Sequence, residues 1–190
     1  MADRPDPHRT LESDPHLGPV VETHGPLELE PAADPFRRLV LAIVRQQISM
    51  DAAGAIFERL EAAHDVTPAA MASLEQSTLK SVGLSGQKAA TVQAVARAFE
   101  EGSVDLEGDT DAVLASLTAI DGVGPWTGKM FCMFALGHED VFPVEDLGVR
   151  RGMELVLEQS LGRQEMVNHA ERWRPLRSYA ALYCWAAYEA

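Results

Sequence analysis

Apolar residues recur at helical spacing along most of this chain. Phe36, Leu39, Val40, Ile43, Val44 and Gln47 share one face of a helix. Asp34-Pro35, just ahead of them, supplies a favoured N-cap and a proline at the first helical position, where its missing N–H costs nothing. The same spacing predicts helices over 51–63 and 73–82, the second ending at Gly83, with Thr67-Pro68 capping a further one between them. LSGQKAATVQAVARAF makes the next, with Val92, Val95 and Phe99 inward, and helices over 111–120, 147–159, 163–173 and from Leu176 to the end follow. A short helix within 14–24 stops at Gly25-Pro26, and the polar, proline-containing residues 1–13 are expected to form a mobile tail. Period-two alternation is nearly absent. The expected fold class is therefore all-α, with ten or so short helices.

One connection between helices departs from an ordinary turn. In LTAIDGVGPWTGKM, Leu117 to Met130, Gly122 and Gly124 flank Val123. Glycine reaches backbone angles that other residues resist, which allows a sharp bend. The helix that follows opens with free N–H groups that suit an oxygen anion such as a DNA phosphate. A GxG between two helices is by itself a common connector. Here an apolar frame supports it: Leu117 and Ile120 close one helix, Val123 plugs the bend, and Met130, Phe131 and Phe134 continue the next helix's buried stripe. Twenty residues after Trp126 comes Asp146, in VFPVEDLGVRRGM, at the expected start of a helix whose terminal amides stabilise a negative charge. Helix capping alone would account for an aspartate there. Together with a hairpin able to grip a phosphate, the carboxylate is also a candidate for catalysis. The adjacent Glu145 is expected to face elsewhere.

Charge complicates the picture. Of 190 residues, 29 are acidic and 16 basic, a net charge of −13, whereas nucleic-acid binders are usually basic. Lysine is nearly absent (Lys80, Lys88, Lys129), and arginine takes its place. This composition resembles that of proteins from salt-accumulating halophiles. At 1 M salt a Debye length of about 3 Å would hide the global charge from DNA and leave short-range hydrogen bonds in control. Cys132 and Cys184 are far apart with no CxxC, which excludes a zinc or iron–sulfur site built from cysteines alone, and both are expected as small buried apolar residues. The six histidines show no HExxH or paired spacing. No signal-peptide pattern opens the chain and no apolar run approaches the roughly 20 residues that span a bilayer, so a cytoplasmic protein is expected.

The hairpin and the aspartate together resemble the helix-hairpin-helix DNA glycosylase superfamily. Over most of residues 34–190 the segments RQQIS, VGPWTGKM, FPVEDLGVRR and RWRPLRSYAALYCW are similar to the 3-methyladenine DNA glycosylase II family. That resemblance implies two helical lobes with the active-site cleft between them. It assigns 1–33 to an N-terminal tail and helix packing with the C-terminal lobe, 34–137 to the hairpin lobe, and 138–190 to a C-terminal lobe carrying the catalytic Asp146. It implies a base pocket of Trp126, Trp185, Met130 and Leu147, less aromatic than in some members. DNA contacts fall to Gly122, Val123, Gly124, Thr127 and Lys129, with Gln47 filling the gap left by a flipped nucleotide. Carbonyls of Thr118, Ile120 and Val123 would hold a monovalent cation. Members that also cut the strand carry a lysine nucleophile where this chain has Trp126, so that step is not expected.

The function expected is hydrolysis of the N-glycosidic bond of alkylated purines in double-stranded DNA, by a monomer without cofactor and without a membrane partner. The alternatives are a glycosylase/lyase for oxidised or mismatched bases, which Trp126 disfavours, and a non-catalytic helix-hairpin-helix module, which would need no Asp146. Trp185 on an apolar helix would equally suit a plain core position. Arg150, Arg151, Arg174 and Arg177 are candidates for phosphate contacts.

Overall fold

A computed structural model of the chain describes residues 6–190. It is all-α: twelve α-helices and one 3-10 turn, with no strand among the described residues. The helices fall into two compact units, one built from the segment up to Glu30 together with Gly137–Ala190, the other from Pro31–Leu136.

The first unit begins with α1 (Pro7–Glu12) and α2 (Gly18–His24). The tail expected over 1–13 is therefore corrected where it is described, and its first five residues lie outside the described residues. Asp6 accepts the His8 amide at 2.9 Å ahead of Pro7, the same Asp-Pro start as at Asp34-Pro35. With one buried apolar residue, Leu11, the helix carries too little periodic signal to be seen in sequence, and His8 Nδ1 anchors it to the Tyr183 hydroxyl at 2.7 Å. α2 starts later than expected because Asp14 turns back on the chain. Its carboxylate accepts the amides of His16 and Leu17 and the Trp173 indole N–H at 3.1 Å.

The second unit contains α3 (Pro35–Arg45), α4 (Met50–Ala63), α5 (Pro68–Ser73), α6 (Gln76–Ser81), α7 (Gly86–Glu100), α8 (Thr110–Thr118) and α9 (Pro125–Phe134). Asp34 caps α3 by accepting the Arg37 amide at 2.9 Å, and Phe36, Leu39, Val40, Ile43 and Val44 are all buried. Gln47 does not share that face. The helix ends at Arg45, and Gln47 is exposed with a φ of 58°, a left-handed conformation costing a non-glycine residue on the order of 1–3 kcal/mol. The helix expected over 73–82 is shorter, because Ser73 closes α5 and Leu74 and Glu75 are extended before α6.

The chain then returns to the first unit with α10 (Leu147–Leu157), α11 (Arg163–Ala170), the 3-10 turn Glu171–Trp173 and α12 (Arg177–Glu189). α10 lies against α12 so closely that a β-carbon on Gly152 would overlap the Cys184 carbonyl. Cys132 and Cys184 are free and buried, as expected, and burial pushes each thiol up to about 12. No helix among the described residues is long and apolar enough to cross a membrane.

Two glycine substitutions test this packing. Gly152→Ala is expected to destabilise the protein by about 1–3 kcal/mol, since the new methyl meets backbone that must shift. Gly54→Ala, inside α4 with nothing within 4 Å of the new carbon, is expected to stabilise it by about 0.4–1 kcal/mol. Chemical denaturation of both variants checks the opposite signs.

Candidate functional site

In the second unit, α8, a tight turn and α9 form the hairpin. Ile120 N–H donates to Leu117 and Val123 N–H to Ile120, each at 3.0 Å, and Val123 is buried in the bend. Gly122 takes a φ of 87°, and a β-carbon there would run into the Thr91 side chain of α7, so both the backbone and the space exclude other residues. Gly124 is the N-cap of α9 and Pro125 its first residue; no side chain caps that end. The Gly128 amide bonds the Gly124 carbonyl at 3.0 Å, and a helix start of this kind, at the positive end of the dipole, suits an oxygen anion. Gly128 allows the close approach of α8, as a β-carbon there would lie 2.7 Å from Leu114 Cδ2. The Ile120 carbonyl accepts the Val123 amide and keeps a second lone pair, so a carbonyl set with Thr118 and Val123 is chemically compatible with a monovalent cation.

Among the hairpin residues expected to meet DNA, Thr127 turns its side chain inward. Its side chain is 2% exposed, and its hydroxyl accepts Gln46 Nε2 at 2.9 Å, so it ties the hairpin to the end of α3. Lys129 and Trp126 are half-buried on α9, and Met130 is buried.

In the first unit, the loop Val141–Glu145 delivers Asp146. Its amide donates to the Pro143 carbonyl at 2.9 Å, and Asp146 becomes the N-cap of α10. Its Oδ1 accepts two donors, the Val149 amide at 3.0 Å and the indole Nε1–H of Trp185 at 2.8 Å. Trp185 comes from α12 and is half-buried, so it is not a plain core residue. Gly148 makes the pairing feasible: a β-carbon there would lie 2.7 Å from the indole Cδ1. Leu147, next to the carboxylate, is 55% exposed. The result is a carboxylate fixed by two charge-assisted bonds at the positive end of a helix.

Two of the arginines proposed for phosphate contact are engaged elsewhere. Arg177 bonds Asp140 at 2.6 Å and Glu171 at 2.8 Å, and Arg174 bonds the same two carboxylates at 2.9 and 2.8 Å, a network that braces the start of α12. Arg151 pairs with Glu154 at 2.9 Å, while Arg150 reaches the Asp146 carbonyl at 3.4 Å. Sequence reasoning also missed the bond between Trp185 and Asp146, and Lys88, whose ammonium binds two carbonyls at the end of α3. It missed as well Arg38 and Arg45, partly buried on α3; loss of water, and then repulsion from Arg45, lower Arg38 to about 10. Arg38 lies over the Phe134 ring, 4.9 Å from its centre. Such features depend on contacts distant in sequence, and no local motif announces them. No group of His, Cys, Asp and Glu able to hold a metal exists among the described residues.

The crystal structure of DNA-3-methyladenine glycosidase from Bacillus halodurans has a TM-score of 0.83 to this fold at 32% identity, covering 97% of this chain and 90% of that one. The Schizosaccharomyces pombe 3-methyladenine DNA glycosylase in complex with abasic DNA gives 0.85 at 25% identity, with 94% of each chain covered. A probable bifunctional transcriptional activator/DNA repair enzyme of Mycobacterium tuberculosis is 33% identical over 192 residues. That match takes in 94% of this chain but 38% of the relative, so the chain spans well under half of that protein's length. The family model for HhH-GPD superfamily base excision DNA repair proteins matches residues 40–175, which include the hairpin, Asp146 and the start of α10. An all-α fold, an uncapped glycine hairpin and a helix-capping aspartate twenty residues beyond Trp126 thus coincide with a match over most of the chain, which belongs to the HhH-GPD superfamily of base excision DNA repair proteins.

Proposed function

We propose that this chain is a monofunctional DNA glycosylase that hydrolyses the N-glycosidic bond of alkylated purines, of the 3-methyladenine type, in double-stranded DNA. The observation that carries the reading is Asp146, whose Oδ1 is held by the Val149 amide and the Trp185 indole at a helix start. The two similar solved structures are named as acting on 3-methyladenine, which supports the substrate class.

The chemistry follows from the leaving group. An alkylated, cationic purine leaves as a neutral base, so little acid catalysis is needed and the difficulty lies in the positive charge that grows at C1′. A carboxylate already oriented by two donors needs no reorganisation to meet that charge, and it can also direct a water to C1′. The Trp185 ring offers an aromatic surface to an electron-poor base, worth about 0.5–2 kcal/mol. The start of α9 would hold a DNA phosphate, and the carbonyls of Thr118, Ile120 and Val123 would hold a monovalent cation that supplies positive charge for DNA binding. The lyase alternative requires an amine nucleophile, and Trp126 occupies the position where the family's lysine would stand.

Asp146→Asn keeps an acceptor for both donors and removes the charge, so single-turnover base release from methylated duplex DNA is expected to fall about 10²-fold or more while binding to abasic-site DNA survives. Trp185→Phe keeps a ring but removes one bond to the carboxylate, and release is expected to fall about tenfold. Near-normal turnover by Asp146→Asn would defeat the mechanism.

The product is expected to be an intact abasic strand, cut only after alkali. Borohydride should trap no enzyme–DNA adduct, because no amine stands at position 126 to form a Schiff base; a trapped adduct would transfer the reading to the lyase class.

The net charge of −13 leads to an expectation about salt. Self-repulsion of the folded chain and repulsion from DNA both weaken as the Debye length shrinks from about 10 to 3 Å between 0.1 and 1 M. Melting temperature and glycosylase activity are therefore both expected to rise over that range of KCl. A steady loss of activity without a gain in melting temperature would exclude adaptation to high salt.

A further inference from the structure

The end of α3 is built in an unusual way. Its last carbonyls have no intrahelical donor, and the Lys88 ammonium supplies one, donating to Val44 O and Gln46 O, each at 2.7 Å. Lys88 is the third residue of α7, where the helix dipole is positive and a cation is disfavoured. Its placement therefore does not serve α7; it is stabilised by the negative end of α3.

Beyond those carbonyls the chain leaves the helix at Gln46 (φ −54°, ψ 125°) and enters the left-handed region at Gln47 (φ 58°), whose side chain is exposed. Gln46 points the other way. Its Nε2 donates to the Gly122 carbonyl at 3.2 Å and to the Thr127 hydroxyl at 2.9 Å, both on the hairpin. One turn along α7 from Lys88, Thr91 fills the space against Gly122. One helix thus supports both the loop that presents Gln47 and the turn that would hold a phosphate, and Gln46 ties the two together.

We propose that Lys88 and Gln46 are positioning residues for the opening of the DNA duplex, holding Gln47 in its strained conformation at a fixed register from the phosphate-binding turn. This rests on reading Gln47 as the group that fills the gap left by an extruded nucleotide. A side chain entering a base stack must arrive ordered, since unstacking a nucleotide already costs energy, and a strained residue stays ordered only if its surroundings hold it. Loss of the Lys88 donors would let residues 46–47 relax, and loss of the Gln46 amide would uncouple them from the hairpin.

The test compares base release from a methylated oligonucleotide as a duplex and as a single strand, because a gap-filling group matters only where there is a stack to open. A 2-aminopurine beside the modified base reports unstacking independently of bond cleavage. Lys88→Met and Gln46→Leu are expected to lower the duplex-to-single-strand ratio of single-turnover rates about tenfold and to reduce the fluorescence gain. Lys88→Arg, which can still donate to both carbonyls, should restore most of the ratio, and Gln47→Ala should lower it to a similar extent. If Gln47→Ala lowers the ratio while Lys88→Met and Gln46→Leu leave it unchanged, or slow both substrates equally, the positioning role is overturned and the reading of Gln47 stands. If Gln47→Ala leaves both the ratio and the fluorescence unchanged, the reading of Gln47 fails and the proposal with it. Should Lys88→Met fold poorly, Gln46→Leu and the Lys88→Arg comparison decide on the same two readouts.

Discussion

Every α-helix begins with N–H groups and ends with carbonyls that its own hydrogen bonds cannot satisfy, and the twelve short helices of the described residues carry that deficit at every junction. Most of the deficit is met locally. Asp6, Asp34, Ser49, Thr67, Ser85 and Asp109 each cap the helix that follows with their own side chains. The functional features arise where the same deficit is met differently. At α9 the N-cap is a glycine, which has no side chain to cap the helix. At α10 the capping carboxylate is shared with an indole from another helix. At the end of α3 a lysine from α7 closes the carbonyls.

This division explains what was legible in the sequence. Caps and the GVG turn operate over a few residues, so Asp34-Pro35, Thr67-Pro68, the hairpin and the position of Asp146 at a helix start could be read directly. Helix ends were less legible wherever a side chain diverted the backbone, as Asp14 does ahead of α2. Roles that depend on partners tens of residues away gave no signal at all. Nothing near Thr127 in sequence shows that its hydroxyl is bonded by Gln46, 81 residues earlier. Arg174 and Arg177 look available for phosphate until Asp140 and Glu171 are placed beside them. Trp185 could equally have been core, and its half-burial and the 2.8 Å bond to Asp146 distinguish the two.

The acidic composition has a counterpart in how cations are used. Arginines on the first unit are largely consumed by carboxylates, and Lys88 is consumed by carbonyls. With those cations engaged internally, oriented backbone dipoles rather than point charges would carry the proposed contact with a polyanion, a grip that follows the geometry of a phosphate more than its long-range field.

The bond between Trp185 and Asp146 joins residues 39 positions apart, on segments that α10 and α12 bring together. The hairpin, by contrast, lies in a unit made of one uninterrupted stretch, Pro31–Leu136. During synthesis that stretch emerges whole and can fold while the rest is still being made. The carboxylate acquires its second donor only when α12 has left the ribosome, so the part of the protein that would grip DNA is complete before the part that would break a bond in it.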